Sequence, residues 1–233
     1  ETGVHYVQVS SQMYGAGAGT YTLSAAQVST QVNFIGGTDD RDMLQATAAD
    51  DLIAGSAGLD VVTYTGSLAD YAVNMDRFSK VITVTGNGID KLHDVERLHF
   101  DNVGRAFDID GNAGTVALIL GAVFGAASVQ NRAYVAVGLK LADGGMSSED
   151  LVQYALDRAL GPNADTTAIV DLLYNNVMSS PPPQQALDYY TGLLDEGAVT
   201  PGWLGMYAAE TIYNLVNTLG IRPAEYPLYF DIG

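Results

Sequence analysis

The chain has 233 residues, 27 of them acidic and 10 basic, with a net charge of −17 and 48% hydrophobic residues. That length suits one large or two modest domains with a buried core, and the acidity counts against nucleic acid and anionic membranes as partners. Absence of cysteine excludes a disulfide framework, thiol catalysis and cysteine-bound zinc, and no apolar run reaches the roughly eighteen residues a membrane span needs.

Residues 4–23 alternate weakly around Val4, Tyr6, Val9, Tyr21 and Leu23, and predict a hairpin or capping strand. The Gly15–Gly19 tract lacks a following Lys-Ser/Thr, which argues against a phosphate loop. Glu1-Thr2-Gly3 reads as a cloning remnant, and no signal-peptide pattern follows it.

Residues 37–62 repeat with a period of nine: GTDDRDMLQ, ATAADDLIA, GSAGLDVV. Asp42, Asp51 and Asp60 share the sixth position; Leu44, Ile53 and Val62 share the eighth. A fixed period of acid then aliphatic predicts a turn followed by a very short strand, its eighth residue pointing inward. Successive turns fall on opposite edges, so turns eighteen residues apart share one. Asp42 and Asp60 then converge, and two such carboxylates repel unless a cation sits between them. Turn carbonyls add hard oxygens, the ligand type calcium takes, roughly 6–8 at a time. The alternative is a solvated acidic loop in which Asp is only a turn former.

The stretch resembles the RTX calcium-binding nonapeptide, G-G-x-G-x-D-x-U-x, whose repeats form a parallel β-roll. The resemblance implies a site built from Gly37, Asp39 and Asp42 of one turn with Ser56, Gly58 and Asp60 of the next on that edge. A weaker site pairs Asp51 with Asn33, in the degenerate unit 28–36. Asp40 and Ala49 depart from the family at the fourth position, where Gly serves positive φ, and Ala46 departs at the first. The resemblance also implies secretion, as in cysteine-free type I-secreted chains.

Short β-rich runs follow: Val61–Tyr64, Ala69–Val73, Val81–Val84 and Val95–Phe100, with turns such as Gly86-Asn87-Gly88. They predict strands that continue and cap the roll. Asp108, Asp110 and Asn112 place oxygens as an EF-hand loop begins, but Ala113 and Ile119 stand where Gly and Glu are required. A helix cap is the favoured reading; a local calcium site is the alternative.

From 113 the period becomes helical, with helices expected at 113–126, 129–142, 148–160, 166–178, 183–195 and 202–219. An offset of 54 relates Val123 to Val177 and Gly138-Leu139 to Gly192-Leu193, so two three-helix units are expected. "IVDLLYNNV" and "ALDYYTGLLDEG" resemble the helical DUF4214 family found downstream of RTX repeats. Tyr189, Tyr190 and Trp203 fall at helical spacing: core by default, a glycan or partner platform as the alternative. The tail 221–233 is expected to pack back on the bundle.

His5, His93 and His99 form no H-E-x-x-H, and no G-x-S-x-G occurs. The expectation is an α+β chain: a short parallel β-roll with capping strands (1–110), then an all-α domain of two duplicated three-helix units (111–233). Its expected role is that of a non-catalytic, calcium-binding extracellular module, secreted or at a bacterial cell surface, engaging a glycan or another protein. The alternative is an accessory region of a secreted enzyme.

Overall fold

In the computed structural model the chain divides into residues 1–30 and 31–233, and the structure describes residues 32–76, 78–101, 103–219 and 228–231. The strands expected within 4–23 lie outside the described residues.

Each nine-residue repeat yields one short strand. β1 (Asn33–Gly36), β2 (Met43–Gln45), β3 (Asp51–Ala54) and β4 (Val61–Thr63) follow one another, but neighbours in sequence do not pair. β1 lies parallel to β3 with Asn33 opposite Asp51, and β2 lies parallel to β4 with Met43 opposite Val61. The chain therefore passes from one sheet to the other at every repeat. The eighth-position side chains fill the space between the sheets: Ile53 and Val62 are buried, while Met43 and Leu52 beside them are exposed. A strand this short buries one or two residues at most, so it gains stability only by stacking on the next coil.

A hairpin insertion then interrupts the period. β5 (Ala72–Met75) and β7 (Gly88–His93) each pair antiparallel with β6 (Ile82–Gly86), and β7 returns parallel to β3. β8 (Arg97–Phe100) lies parallel to β4, and β9 (Val103–Ala106) turns back on it. β10 (Leu228–Asp231) pairs antiparallel with β9, so this part of the tail joins a sheet. The result is two mixed five-stranded sheets, β1-β3-β7-β6-β5 and β10-β9-β8-β4-β2. Leu92, Leu98, Val84 and Phe100 extend the core between them, and Tyr64 stacks on Phe100 at 5.3 Å.

Seven α-helices follow among the described residues: α1 (Asn112–Phe124), α2 (Arg132–Asp143), α3 (Ser148–Leu160), α4 (Thr166–Met178), α5 (Gln184–Asp195), α6 (Pro201–Ala209) and α7 (Ile212–Leu219). α1 is apolar all round, and packs against α2, α3, α4, α6 and α7, as a helix without a polar face must. Side-chain caps fix several starts: Asn131, Ser147, Asp165 and Thr200 each accept a first-turn N–H.

Three expectations are corrected here. The second helix starts at Arg132 rather than 129, because a 3-10 turn over Ala126–Gln130 precedes the Asn131 cap. The first helix stops at Phe124, before Gly125 at φ +83°. The expected helix 202–219 is two helices. Buried Asn214 donates to Ala209 O at 2.8 Å and to Leu118 O at 2.9 Å, which satisfies the end of α6 and turns α7 onto α1. No helix among the described residues is long and apolar enough to cross a membrane.

Candidate metal centre

The sixth-position acids stack along two edges, eighteen residues apart within the repeats. On one edge the N–H of Asp42 donates to Asp60 Oδ1 at 2.8 Å, and the N–H of Asp60 donates to Glu96 Oε2 at 2.8 Å. On the other, Asn33 Nδ2 donates to Asp51 Oδ1 at 3.1 Å, and the N–H of Asp51 donates to Asp90 Oδ1 at 3.0 Å. Asp60, Glu96 and Asp90 thus each accept the backbone N–H of the acid one coil before, while Asp51 accepts the side-chain amide of Asn33. The structure brings together the expected pairs Asp42/Asp60 and Asn33/Asp51.

Asp90 and Glu96 complete the two stacks, and sequence reasoning missed them because the hairpin insertion breaks the period. The signal was present: acid-x-aliphatic recurs at Asp90-Lys91-Leu92 and Glu96-Arg97-Leu98 as at Asp42, Asp51 and Asp60.

The turns differ in how they satisfy these carboxylates. In the first, Asp42 Oδ2 accepts from the N–H and hydroxyl of Thr38 at 2.5 and 2.9 Å. In the second, Asp51 accepts from the N–H and hydroxyl of Thr47 at 2.7 and 2.8 Å. The second-position residue of the third turn is Ser56, at φ +80° and exposed. It makes no bond to Asp60. Asp60 is fully buried, and its Oδ2 has no hydrogen-bond partner.

Asp60 Oδ2 faces the backbone. A Cβ built on Gly55 would stand 2.5 Å from it and would collide with the Asp94 carbonyl, so this glycine admits the carboxylate and the neighbouring coil together. Burial pushes the Asp60 carboxyl above its ordinary range; the Asp42 N–H opposes the shift, and the charges of Asp42 and Asp94 add to it. Burial likewise raises Asp90 and Glu96.

The remaining predicted residues are placed as follows. Gly37 lies under the Gly55 carbonyl, 2.5 Å from where its Cβ would be. Gly58 has φ +116° and sits over the Asp40 carbonyl. Asp40 and Ala49 do not have positive φ, so only the third turn keeps the glycine geometry of the nonapeptide. Asp39 is exposed. Among the described residues no three His, Cys, Asp or Glu side chains converge on one point, so a cation here would draw on turn carbonyls as well as on carboxylates.

Asp108, Asp110 and Asn112 turn to different partners. Asp108 pairs with buried Arg97 and accepts from the Ala113 N–H at 3.1 Å, capping α1. Asn112 donates to Asp143 at 2.8 Å, and Arg97 also reaches Asp143 at 3.2 Å. Exposed Asp110 lies 3.5 Å from Lys80. On the helical half, Trp203 stacks on Tyr207 at 5.5 Å with an interplanar angle of 5°, and Tyr190 packs between Tyr207 and Tyr189. Trp203, Tyr207 and Tyr189 are exposed.

Comparison of the chain with the models of known protein families and with curated protein sequences finds no match.

Proposed function

We propose that the repeats form a calcium-binding β-roll of the RTX type and that the chain is a non-catalytic extracellular module, secreted or displayed on a bacterial surface. The observation that carries this reading is the fully buried Asp60 carboxylate with an unpartnered oxygen. An isolated buried charge of this kind is costly, and either a proton or a cation relieves it. Asp42 on the same edge and the carbonyl-rich turns 37–42 and 55–60 favour the cation.

Asp60 is the principal anchor, with Asp42 beside it and the backbone of Gly37, Asp39, Ser56 and Gly58 contributing. Calcium supplies charge neutralisation and a clamp between coils. The rest follows from linkage: a ligand bound only by the folded state stabilises it. In a calcium-poor compartment the acidic repeats repel one another; with Kd on the order of 10⁻⁴–10⁻³ M, usual for extracellular modules, the roll closes after export.

The helical half is proposed as two DUF4214-like three-helix units. α1 and α4 begin at Asn112 and Thr166, α3 and α6 at Ser148 and Pro201. Val152 of α3 meets Gly205 of α6, corresponding positions of the two units, which supports a pseudo-twofold arrangement. A glycan or partner surface is favoured by the exposed Trp203/Tyr207 stack.

Circular dichroism during EGTA titration tests the calcium reading. A cooperative loss of β signal and a lower Tm on chelation are expected; an unchanged spectrum and Tm would refute it. Glycan-array binding lost on Trp203→Ala tests the surface; a blank array counts against it.

A further inference from the structure

A cavity of about 330 Å³ opens in the first half of the helical region, among α1, α2 and α3. Its wall is apolar: Val116, Ile119 and Leu120 from α1, Val137 from α2, Leu151 and Ala155 from α3. A second cleft of about 220 Å³ lies among α4, α5 and α6. Its lining repeats the first 53 or 54 residues later, with Val116/Val170, Ile119/Leu173, Leu151/Leu204, Tyr154/Tyr207 and Ala155/Ala208 in corresponding places. An accidental packing defect would not recur at matched positions of two units whose side chains differ elsewhere.

The two clefts differ at the mouth. The first carries Arg158 where the second carries Thr211. Arg158 is exposed, and its guanidinium stands 5.1 Å over the Tyr154 ring that lines the cavity. The ion pairs among the described residues are Lys80–Asp110, Arg97–Asp108 and Arg97–Asp143; none includes Arg158. In a chain with 27 acids and 10 bases, an arginine held over an apolar cavity by a ring, and outside the ion pairs among the described residues, complements an anion.

We infer that the α1–α2–α3 cavity binds a small amphiphile with one anionic head, of the aliphatic carboxylate class. The tail fills the space between Val116, Ile119 and Leu151, and the head meets Arg158. The volume falls at the small end of ligand sites, roughly 300–1,000 Å³ with a few polar groups fixing orientation, which suits a medium chain. The second cleft, with Thr211 at its mouth, has no such preference.

Calorimetric titration of the full chain with octanoate, below its micellar concentration, tests this, with octan-1-ol as the uncharged counterpart. Saturable octanoate binding at one site per chain is expected, weakened about fivefold by Arg158→Gln, since an exposed charge pair is worth up to about 1 kcal/mol. The same substitution leaves octan-1-ol binding unchanged, and Val137→Trp, at a half-exposed rim position, abolishes octanoate binding with the circular dichroism spectrum intact. Absence of saturable octanoate binding overturns the inference, as does octanoate affinity that neither substitution alters. A dimer on size exclusion that Val137→Trp dissociates, without octanoate uptake, overturns it in favour of a second copy of the chain.

Discussion

The backbone N–H of Asp42 holds one oxygen of Asp60 at 2.8 Å, and the other oxygen of Asp60 is buried with no partner. One carboxylate is thereby half satisfied by the coil before it and half exposed to a need the protein chain does not meet. Asp60→Asn removes the buried charge and keeps the shape of the side chain. In chelator the variant is expected to be more stable than the parent by about 1–3 kcal/mol, the cost of an unsatisfied buried group, at about 2–4 °C per kcal/mol for a chain of this size. In calcium the order reverses. Thermal melts in EGTA and in millimolar calcium check both arms; a calcium-induced shift that survives in Asp60→Asn removes Asp60 from the site.

The threonines of the first two turns do for Asp42 and Asp51 what no residue does for Asp60. Thr38→Val and Thr47→Val each delete a hydroxyl bonded to a carboxylate, at 2.9 and 2.8 Å, and each is expected to cost about 1 kcal/mol in chelator. Ser56→Ala at the corresponding place is expected to be near neutral. Urea midpoints of the three variants test this. Equal losses at all three positions would mean that Ser56 supports Asp60 in a way the structure does not have.

Arg97 is the electrostatic tie between the sheets and the helices. It leaves β8 next to Glu96, which holds Asp60, and reaches Asp108 at the start of α1 and Asp143 at the end of α2. Arg97→Met strands two partly buried carboxylates, and is expected to cost about 3–5 kcal/mol. Adding Asp143→Asn should recover part of that loss. Denaturant unfolding of the single and double variants measures it; strictly additive losses would argue against a shared cluster.

Metal-free stability should depend on pH in an unusual direction. Burial raises Asp60, Asp90 and Glu96 above their ordinary values of 3.8 and 4.5. The folded state then binds protons more readily than the unfolded one, so stability grows as pH falls through the folded-state values toward about 4. His99 works the other way. Its burial, with Arg97 and Arg41 nearby, lowers it from 6.5, so its contribution is full above that value and is lost as pH falls. In a metal-free His99→Gln background, Tm is expected to rise as pH falls from neutrality toward the ordinary carboxyl values. The calcium-induced increment should shrink over the same range, because protons and calcium compete for the same oxygens. A Tm that falls with pH in chelator would show that these carboxyls are not strained by burial.

Much of this molecule was legible in its residues. The nine-residue spacing of Asp42, Asp51 and Asp60, with an aliphatic two places on, was enough to place three strands, their inward side chains and the two stacked edges, because side-chain alternation is a local rule. The helical stretches were legible in outline from the helical period that begins at 113. Three-dimensional contacts decided the rest. Asp90 and Glu96 enter the stacks only once a hairpin folds out of the way. The break between α6 and α7 depends on Asn214 reaching α1. Above all, whether a repeat aspartate is satisfied depends on its own turn and on the backbone of neighbouring coils. Three acids identical in sequence position therefore end with different hydrogen-bond partners, and a one-dimensional pattern carries no record of that difference.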